Sequence, residues 1–574
     1  MTFSVDTAHE SDDAQTPLLA APFDLEPIDE SISGAHGEIF TRRWVVEMIL
    51  DLAGFTTDRD LVGLRAIEPS CGAGAFLIPM VERLVDSARN HGRDLEGAES
   101  SIGAWDLLGR NVLEARSRVA VGLSSSGVPR TLAQRLSERW VRQGDFLLES
   151  PEPESADFVV GNPPYIRLES VAPKRSVAYR RNCATMGGRS DVYIGFYEKG
   201  LKALRSQGRL GFICADRWMR NAYGARLREM ISRGWSVEAI IHMTGVDAFE
   251  NEVDAYPAVT VIRRGEQADG PLIVAAMPEF GASESRQLVD FAVGEKRHAT
   301  VPAVSGGATS FRASRLSTWF SGKSGWPNAS PERIDLLADL EARLPQLEDS
   351  ETGTKVGIGV ATGADRVFIV DQADGVEDAR LLPLAMSRDI AGGSVEWSGK
   401  YLVNPWDEYG LVDLEEWPGL RDYLLPHKER LKTRHTARSG KWHKTIDRVS
   451  EGLVAKPKLY LPDFKDAIFP VLDSGGTYPH HNLYWVTSDR WDLEVLGGLL
   501  LSDVANLFIE AYSVRMRGGY LRFQAQYLRR IRLPWLDEVG SASADKLAIA
   551  FRDRDREKAT EVALNLYGLD RLPV

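Results

Sequence analysis

The sequence predicts an α/β protein with a doubly wound sheet, followed by a second, mixed α+β domain. Apolar strand-like runs alternate with helical patterns between residues 64 and 264, and a Gly-x-Gly turn follows the first run. The chain has 574 residues, which is enough for two or three domains with separate cores. We therefore expect a first domain at 35–265, a connecting region at 266–325 and a second domain at 326–574.

The overall composition is that of a globular protein with an acidic balance. Hydrophobic residues make up 43% of the chain, and the net charge is −13. This charge argues mildly against nucleic-acid binding, but the local distribution of charge decides that question. Residues 1–34 hold eight acidic side chains and no Lys or Arg, so this segment is predicted to be a disordered tail.

The three cysteines, Cys71, Cys183 and Cys214, are too few and too scattered to predict a disulfide framework or a zinc site. Their scarcity favours a reducing compartment, so we expect a cytoplasmic protein. No apolar run has the length of a membrane span, and the N-terminus lacks a basic-then-apolar signal pattern. We expect no membrane partner.

A stiff loop after an apolar strand carries the clearest chemical signal. The apolar run at 157–160 leads through Gly161 into Asn162, two prolines and Tyr165. Consecutive prolines remove two backbone donors and fix two φ angles. The loop therefore holds the Asn162 oxygen and a backbone carbonyl as fixed acceptors beside a flat ring, which suits a planar group bearing NH2. The alternative is a strand-terminating turn with a packed tyrosine.

These residues resemble a known family. Asn-Pro-Pro-Tyr after an apolar strand is similar to the catalytic motif of amino-methyltransferases that use S-adenosylmethionine. Residues 144–148 and 157–165 are similar to the TaqI-type, gamma-class DNA adenine methyltransferases. The resemblance covers 35–265 strongly and 350–535 moderately, and it implies a Rossmann-like methyltransferase domain and a C-terminal target-recognition domain. The implied catalytic residues are Asn162, Pro163, Pro164 and Tyr165.

The resemblance also implies a site for S-adenosylmethionine. The Gly-x-Gly turn lets the backbone approach a ligand closely. Asp106, at the end of the predicted second strand, is placed to accept the ribose hydroxyls, with a helix-capping aspartate as the alternative. Asp145, taken to end the third strand, matches the family's acceptor for the adenine amino group. The implied cofactor-binding residues are Thr41, Glu68, Pro69, Gly72, Gly74, Asp106, Asp145 and Phe146.

Two further loops belong to the predicted site. Thr41 is expected to cap a helix, and in the family this loop closes over the methionine end of the cofactor, usually with proline where this chain has Arg42. Phe249 matches by position a phenylalanine that stacks on the flipped adenine, although Glu252 replaces the family's nearby lysine. The implied substrate-binding residues are Tyr165 and Phe249, and a buried loop phenylalanine is the alternative for Phe249.

Basic segments follow the motif and recur in the second domain. Residues 166–190, predicted as a loop, carry six Lys or Arg against one acid, and residues 421–460 carry eleven against four acids. Such runs are usually solvated surface, but beside a catalytic motif they are well placed to meet phosphates. Residues 355–370 predict a hairpin-like opening of the second domain, similar to the start of the family's target-recognition domain.

The predicted function is that of a site-specific DNA-methyltransferase (adenine-N6) acting on a flipped adenine in a short double-stranded sequence. We expect the modification enzyme of a restriction–modification system, monomeric, with a separately encoded restriction endonuclease and no catalytic metal. One alternative is a protein glutamine N5-methyltransferase, since an amide also presents NH2, but it would not need the basic second domain. Another is a combined restriction–methylation enzyme, but no convincing nuclease pattern stands out.

Overall fold

Parallel strands organise the N-terminal part of the chain. The computed structural model describes residues 39–149, 151–251, 256–304, 308–513 and 520–573. The acidic stretch at 1–34, predicted to be disordered, lies outside the described residues. The chain divides into two compact units: the first comprises Met1–Cys214 with Phe249–Val253, and the second comprises Ala215–Ala248 with Asp254–Val574.

The first unit alternates strands and helices, as the apolar periodicity predicts. Its strands are β1 (Ala66–Glu68), β2 (Ile102–Asp106), β3 (Val141–Gln143), β4 (Ala156–Gly161) and β5 (Leu204–Ala215). Its helices are α1 (Arg43–Ala53), α2 (Leu77–Asn90), α3 (Gly109–Ser125), α4 (Arg130–Trp140), α5 (Pro173–Asn182) and α6 (Tyr193–Ala203). Every residue of β1, β2 and β4 is buried, which explains their continuous apolar runs.

The strands of this unit are all parallel and follow the order β3-β2-β1-β4-β5. The chain passes from β1 to β2 on one side, and it later returns to β4 on the other side of β1. Ligands of open parallel sheets bind beyond the carboxyl ends of the strands at such a switch point. The Gly-x-Gly turn follows β1 and the Asn-Pro-Pro-Tyr loop follows β4. The predicted α/β class is confirmed, and the order places both motifs beyond the carboxyl ends of two neighbouring strands.

Local structure departs from prediction around two segments of this unit. Helix α1 begins at Arg43 with Arg42 in the capping position, so the prediction that Thr41 caps it is wrong. Residues 166–190 are more than a loop, because Pro173 opens the first turn of α5. Proline suits that position, since its missing N–H would have no partner inside the helix.

The second unit begins with an irregular α/β part. It contains α7 (Arg217–Arg220), α8 (Ala225–Ser232), β6 (Trp235–His242), β7 (Pro257–Arg264), β8 (Leu272–Ala276), α9 (Ala282–Val293), β9 (His298–Pro302) and β10 (Thr309–Arg315). The strands follow the order β7-β6-β8-β10-β9, in which β6 and β8 are parallel and the other pairs antiparallel. Residues 266–325, expected to connect two domains, thus contribute β8, β9 and β10 to this sheet.

The remainder of the second unit mixes short strands with helices. The helices are α10 (Pro331–Arg343), α11 (Asp365–Phe368), α12 (Pro418–Leu424), α13 (Lys428–Lys432), α14 (Gly452–Ala455), α15 (Leu493–Leu501), α16 (Asp503–Tyr512), α17 (Ala525–Leu528), α18 (Ser541–Asp553) and α19 (Arg556–Tyr567). The strands are β11 (Lys355–Ile358), β12 (Ile369–Val370), β13 (Leu381–Ala385), β14 (Tyr401–Val403), β15 (Lys458–Pro462), β16 (Phe464–Lys465), β17 (Val471–Asp473), β18 (Tyr478–Pro479), β19 (Leu483–Thr487) and β20 (Leu521–Arg522).

These strands form separate small sheets with their own cores. One sheet has the order β11-β19-β15-β17, another β12-β14-β13-β18, and β16 pairs with β20. Since β11 and β12 belong to different sheets, the predicted hairpin at 355–370 is wrong. The first sheet shares a core with α15 and α16, and the second shares one with α12.

No single helix in the described ranges combines the length and the apolarity needed to cross a membrane. Helices α15 and α16 meet the length and composition requirement only as a pair, and they are bent by 61° relative to each other.

Candidate active site

The Asn162 amide, at the carboxyl end of β4, is held through its nitrogen. Nδ2 donates to the carbonyl of Ile39 at 3.0 Å and to Oγ1 of Thr41 at 3.1 Å. A carbonyl only accepts, so these contacts fix which end of the amide is NH2. Oδ1 is buried and has no hydrogen-bond partner among the described residues. A buried oxygen in this state costs about 1–3 kcal/mol, which a ligand NH2 would recover.

Thr41 lies between the Asn-Pro-Pro-Tyr loop and the Phe249 segment. Its side chain is buried, and its backbone forms an antiparallel bridge with Phe249. The neighbouring carbonyl of Phe40 accepts from the backbone N–H of Glu250 at 2.9 Å. Thr41 therefore positions Asn162 in place of capping α1, and it ties residues 39–41 to residues 249–250.

The aromatic side chains of the site meet edge to face. The rings of Tyr165 and Phe249 have centroids 6.3 Å apart and planes at 88°, and Tyr193 approaches Tyr165 at 6.3 Å and 74°. Phe249 is 6% exposed. The Tyr165 hydroxyl is buried without a hydrogen-bond partner in the described part of the chain, and burial raises its pKa. The predicted aromatic pair is thus in contact, an arrangement that fits both packing and base stacking.

The turn after β1 requires glycine at two positions. Gly72 and Gly74 have φ angles of +50° and +99°, in the left-handed region that other residues rarely adopt. The Gly72 N–H donates to Oδ2 of Asp106 at 2.8 Å, which fastens the turn to the end of β2. The turn also contacts the Asn-Pro-Pro-Tyr loop, because Oγ of Ser70 donates to the Asn162 carbonyl at 3.1 Å. Ser70 was not predicted from the sequence, because its residue type alone carries no such signal.

Asp106 organises the start of the segment after β2. Its Oδ1 accepts from the Leu108 N–H at 2.9 Å and from Nδ2 of Asn111 at 3.1 Å. These bonds serve the turn before α3, and they are not the N2 or N3 contacts of a helix cap.

Glu68 ends β1 as a buried acid. It is 1% exposed, and Oε2 has no hydrogen-bond partner among the residues described. Burial and then the nearby charge of Asp106 raise its pKa well above the ordinary value. Pro69 follows directly and begins the turn. This end of the strand therefore offers a second unpartnered oxygen.

Asp145 lies two residues beyond β3, which ends at Gln143 and not at Asp145 as predicted. Its Oδ2 accepts from Nη1 of Arg175 at 2.5 Å and from the Tyr179 hydroxyl at 2.8 Å. Burial raises the pKa of Asp145, while Tyr179 and Arg175 oppose that rise. Arg175, expected among the phosphate contacts, instead forms a largely buried ion pair. Arg175 and Tyr179 are four residues apart on α5, so they lie on the same face of the helix. This spacing is the sequence feature that could have predicted a common partner for them.

Phe146 carries the contact network from Asp145 to the sheet. Its ring packs edge to face on Trp105 at 5.5 Å and stacks on Phe196 at 5.6 Å. The hydrogen bonds and ring contacts thus connect most of the predicted residues near the carboxyl ends of the parallel strands. The carboxylates and unpartnered oxygens there fit a ligand that carries NH or OH donors and a positive charge.

The parallel sheet, the glycine turn and the loop at the switch point are the arrangement that the sequence predicts for a methyltransferase domain. Residues 136–249 match the family model described as Eco57I restriction-modification methylase. The type II methyltransferase M.XhoI of Xanthomonas vasicola is 42% identical over 93% of this chain and 97% of its own. The type II methyltransferase M.PaeR7I of Pseudomonas aeruginosa is 41% identical over 99% of this chain and 98% of its own. The chain belongs to the type II methyltransferases of restriction–modification systems.

A solved structure extends the likeness to the fold of most of the chain. The structure of the type IIL restriction-modification enzyme MmeI in complex with DNA matches with a TM-score of 0.51 and 12% identity. The match covers 93% of this chain and 74% of the other, and at this identity it shows the fold alone. The family prediction is confirmed, whereas the gamma class and the role of the C-terminal domain stay predictions.

Proposed function

We propose that this protein transfers a methyl group from S-adenosylmethionine to the N6 atom of an adenine rotated out of a short double-stranded DNA sequence. The Asn162 amide carries the proposal. Its NH2 is committed to Ile39 and Thr41, so the buried Oδ1 is left to accept. Accepting a hydrogen bond from the substrate NH2 is the task that amino-group methylation requires.

The acceptors of the catalytic loop would activate the substrate nitrogen. The N6 lone pair of adenine is delocalised into the ring, so the amino group is a poor nucleophile. Hydrogen bonds from NH2 to Asn162 Oδ1 and to the Pro163 carbonyl favour a more tetrahedral nitrogen, while Pro164 stiffens the loop. The loop thereby aims the lone pair at the methyl donor, and positioning with electrostatics supplies the rate. No covalent enzyme intermediate and no metal ion enters this scheme.

The crevice at the end of β1 and β2 would hold the cofactor. Bound there, S-adenosylmethionine supplies the methyl group on a positively charged sulfur. We assign the ribose hydroxyls to Asp106 and the adenine amino group to Asp145, whose Oδ2 is oriented by Arg175 and Tyr179. The glycine turn permits close backbone approach. The remaining proposed contacts are Thr41, Glu68, Pro69, Gly72, Gly74 and Phe146.

The aromatic pair would receive the flipped base. Extruding an adenine costs a few kcal/mol of lost pairing and stacking. Each base–aromatic contact returns about 1–3 kcal/mol, so Tyr165 and Phe249 together offset much of that cost. Their mutual contact supports the assignment.

Sequence discrimination is proposed for residues 326–574 and the chemistry for residues 35–265. Residues 266–325, which contribute β8, β9 and β10 to the sheet, lie between them in the chain. Phosphate contacts position a protein on DNA, whereas contacts to base edges specify the sequence. A monomeric modification enzyme in the cytoplasm, acting beside a separately encoded endonuclease, completes the proposal. The relatives that match nearly the whole chain are named methyltransferases, so neither a glutamine methyltransferase nor a combined restriction–methylation enzyme is favoured.

Single-molecule sequencing of modified bases would test the proposal. Genomic DNA from cells that express the wild type should carry N6-methyladenine at one short motif, and DNA from cells expressing Asn162→Ala should not. Asn90→Ala, at an exposed position on α2, is the matched control and should give the wild-type pattern. The purified Asn162→Ala variant should bind S-adenosylmethionine like the wild type. Retention of more than a tenth of the wild-type single-turnover rate would contradict the role of Asn162.

A further inference from the structure

The second unit brings together two histidines and an aspartate. One potential ligand atom from each of Asp365, His480 and His481 lies within 4.8 Å of the other two. Oδ2 of Asp365 stands 3.7 Å from Nε2 of His480. The two imidazole rings have centroids 3.9 Å apart and are tilted by 52°. Three potential metal-binding atoms from different side chains therefore lie close together.

His480 is the buried member of this cluster. It is 4% exposed, and neither ring nitrogen has a hydrogen-bond partner within the described chain. Buried imidazoles normally satisfy at least one nitrogen, so this ring calls for an explanation. Burial lowers the pKa of His480, against the opposing influence of Asn482 and Asp365. Metal ions bind the neutral form of imidazole.

The backbone around the histidines is fixed by hydrogen bonds between distant segments. The N–H of His480 donates to the Ala385 carbonyl at 2.9 Å, and the N–H of His481 donates to the Val360 carbonyl at 3.1 Å. The Val360 N–H in turn donates to the Pro479 carbonyl at 2.9 Å. The two histidines are thus held against the strand-like segment that leads to Asp365.

The carboxylate of Asp365 is oriented by neighbouring hydrogen bonds. Its Oδ1 accepts from Oγ1 of Thr362 at 2.5 Å, and that hydroxyl accepts from the N–H of Ala364 at 3.0 Å. This chain directs the other oxygen, Oδ2, toward His480. Hydrogen-bonded carboxylates of this kind are typical of metal ligands, because outer contacts hold the ligand in place.

We propose that Asp365 Oδ2 and the imidazoles of His480 and His481 bind one divalent transition-metal ion of the Zn²⁺ class. Two imidazoles and one carboxylate are a ligand set that such ions prefer, whereas Mg²⁺ and Ca²⁺ prefer oxygen alone. Metal–ligand bonds of about 2.0–2.2 Å require somewhat closer ligand atoms. Asp365 and His481 are exposed, so their side chains have room to turn inward.

A hydrogen bond between Asp365 and His480 does not account for the cluster. The 3.7 Å separation of Asp365 Oδ2 and His480 Nε2 exceeds the length of a hydrogen bond. A metal ion would satisfy a His480 nitrogen and join residues 359–365 to residues 478–482. Three protein ligands leave a coordination position for water, and the ion's effect would be to stabilise this region. The proposal is independent of the methyl-transfer site.

Calorimetric titration of the untagged, full-length, chelator-treated protein with Zn²⁺ would test the site. We expect one Zn²⁺ bound per chain and a higher melting temperature when it is present. Asp365→Asn, His480→Asn and His481→Asn should each weaken binding at least tenfold and abolish most of the thermal shift. Excess Mg²⁺ should not compete. His435→Asn, at an exposed histidine of the same unit, should behave like the wild type.

If His480→Asn fails to fold, the substitutions at the two exposed ligands still test the proposal. His481→Asn and Asp365→Asn change surface groups, and circular dichroism of the metal-free proteins would verify their folds. Absorption spectra of Co²⁺-loaded protein should show imidazole-coordinated Co²⁺ in the wild type and lose that signature in His481→Asn. Absence of saturable Zn²⁺ binding by the wild type would overturn the proposal, as would wild-type affinity in both surface variants.

Discussion

Arg175 Nη1 donates to Asp145 Oδ2 at 2.5 Å, and the side chains of this ion pair are only 14% and 12% exposed. The Tyr179 hydroxyl donates to the same oxygen at 2.8 Å. Oδ1 accepts only the longer bond, of 3.2 Å, from the Leu147 N–H among the contacts described here. The basic helix α5, which follows the Asn-Pro-Pro-Tyr loop, thus orients Asp145, the acid that we propose binds the cofactor.

Arg175→Met should weaken cofactor binding. Without the guanidinium, burial raises the pKa of Asp145 further, so the carboxylate protonates at a higher pH. We expect roughly tenfold lower affinity at pH 7, in line with about 1.5–3 kcal/mol for a charged hydrogen bond. Calorimetry between pH 5 and 8 should show that, as the pH is lowered, the variant begins to lose cofactor affinity at a higher pH than the wild type does. Arg181→Ala, an exposed change on the same helix, is the control, and equal pH profiles would contradict the positioning role.

Glu68→Gln should stabilise the cofactor-free protein at alkaline pH. The folded-state pKa of Glu68 is raised, so its contribution to stability is fully present below the unfolded pKa and is lost as pH rises through the folded pKa. Glutamine does not titrate, so the free energy of unfolding of the variant lacks this dependence on pH. The melting-temperature gain should be larger at pH 8 than at pH 5. Glu114→Gln, on an exposed face of α3, should show no such trend.

Thr41→Val should reduce turnover more than cofactor affinity. Valine removes the Oγ1 acceptor of Asn162 Nδ2 but fills the same volume, and the bond to Ile39 persists. Loss of one such bond costs about 0.5–1.5 kcal/mol, so we expect a roughly two- to tenfold slower single turnover. Thr41→Ser should restore the rate. A variant that changed only cofactor affinity would show that Thr41 does not position Asn162.

Phe249→Ala should impair retention of the flipped base. The lost stacking amounts to about 1–3 kcal/mol. DNA with 2-aminopurine at the target position should show less fluorescence increase, and turnover should fall. Phe280→Ala removes a buried ring that packs on Phe311, and it controls for a general loss of core packing. Wild-type fluorescence and turnover would support the packing alternative.

Substitutions of Arg434 and Lys441 should have different effects, the first on protein stability and the second on DNA affinity. The Arg434 guanidinium donates to the carbonyls of Leu431, Thr362, Trp442 and Lys444, so it holds its own region together. Arg434→Ala should therefore lower the free energy of unfolding by about 1–3 kcal/mol, and the melting temperature should fall with it. Lys441 is exposed, and Lys441→Ala should weaken binding to all DNAs alike and reduce the salt slope by about one. The reverse pattern would contradict this division.

The features that could be predicted from the sequence are those set by the local backbone preferences of individual residues. Proline pairs and positive-φ glycines constrain the backbone wherever they occur, so the loop at Asn162 and the turn at Gly72 were located correctly. Contacts between distant residues have no such local signal. Arg175 looked like one charge in a basic run, and its partner Asp145 lies thirty residues earlier. The strand at 355–358 pairs with β19, more than 120 residues away, so the adjacent strand was the wrong partner.

The return of residues 249–251 to the first unit has a consequence for synthesis on the ribosome. The five parallel strands are complete once Ala215 has emerged, but Phe249 and its bridge to Thr41 come later. Domains generally fold as units from the N-terminus during translation. We therefore expect the nascent chain to bind S-adenosylmethionine before it can bind the flipped adenine. A product that terminates soon after β5 would then bind the cofactor without methylating DNA.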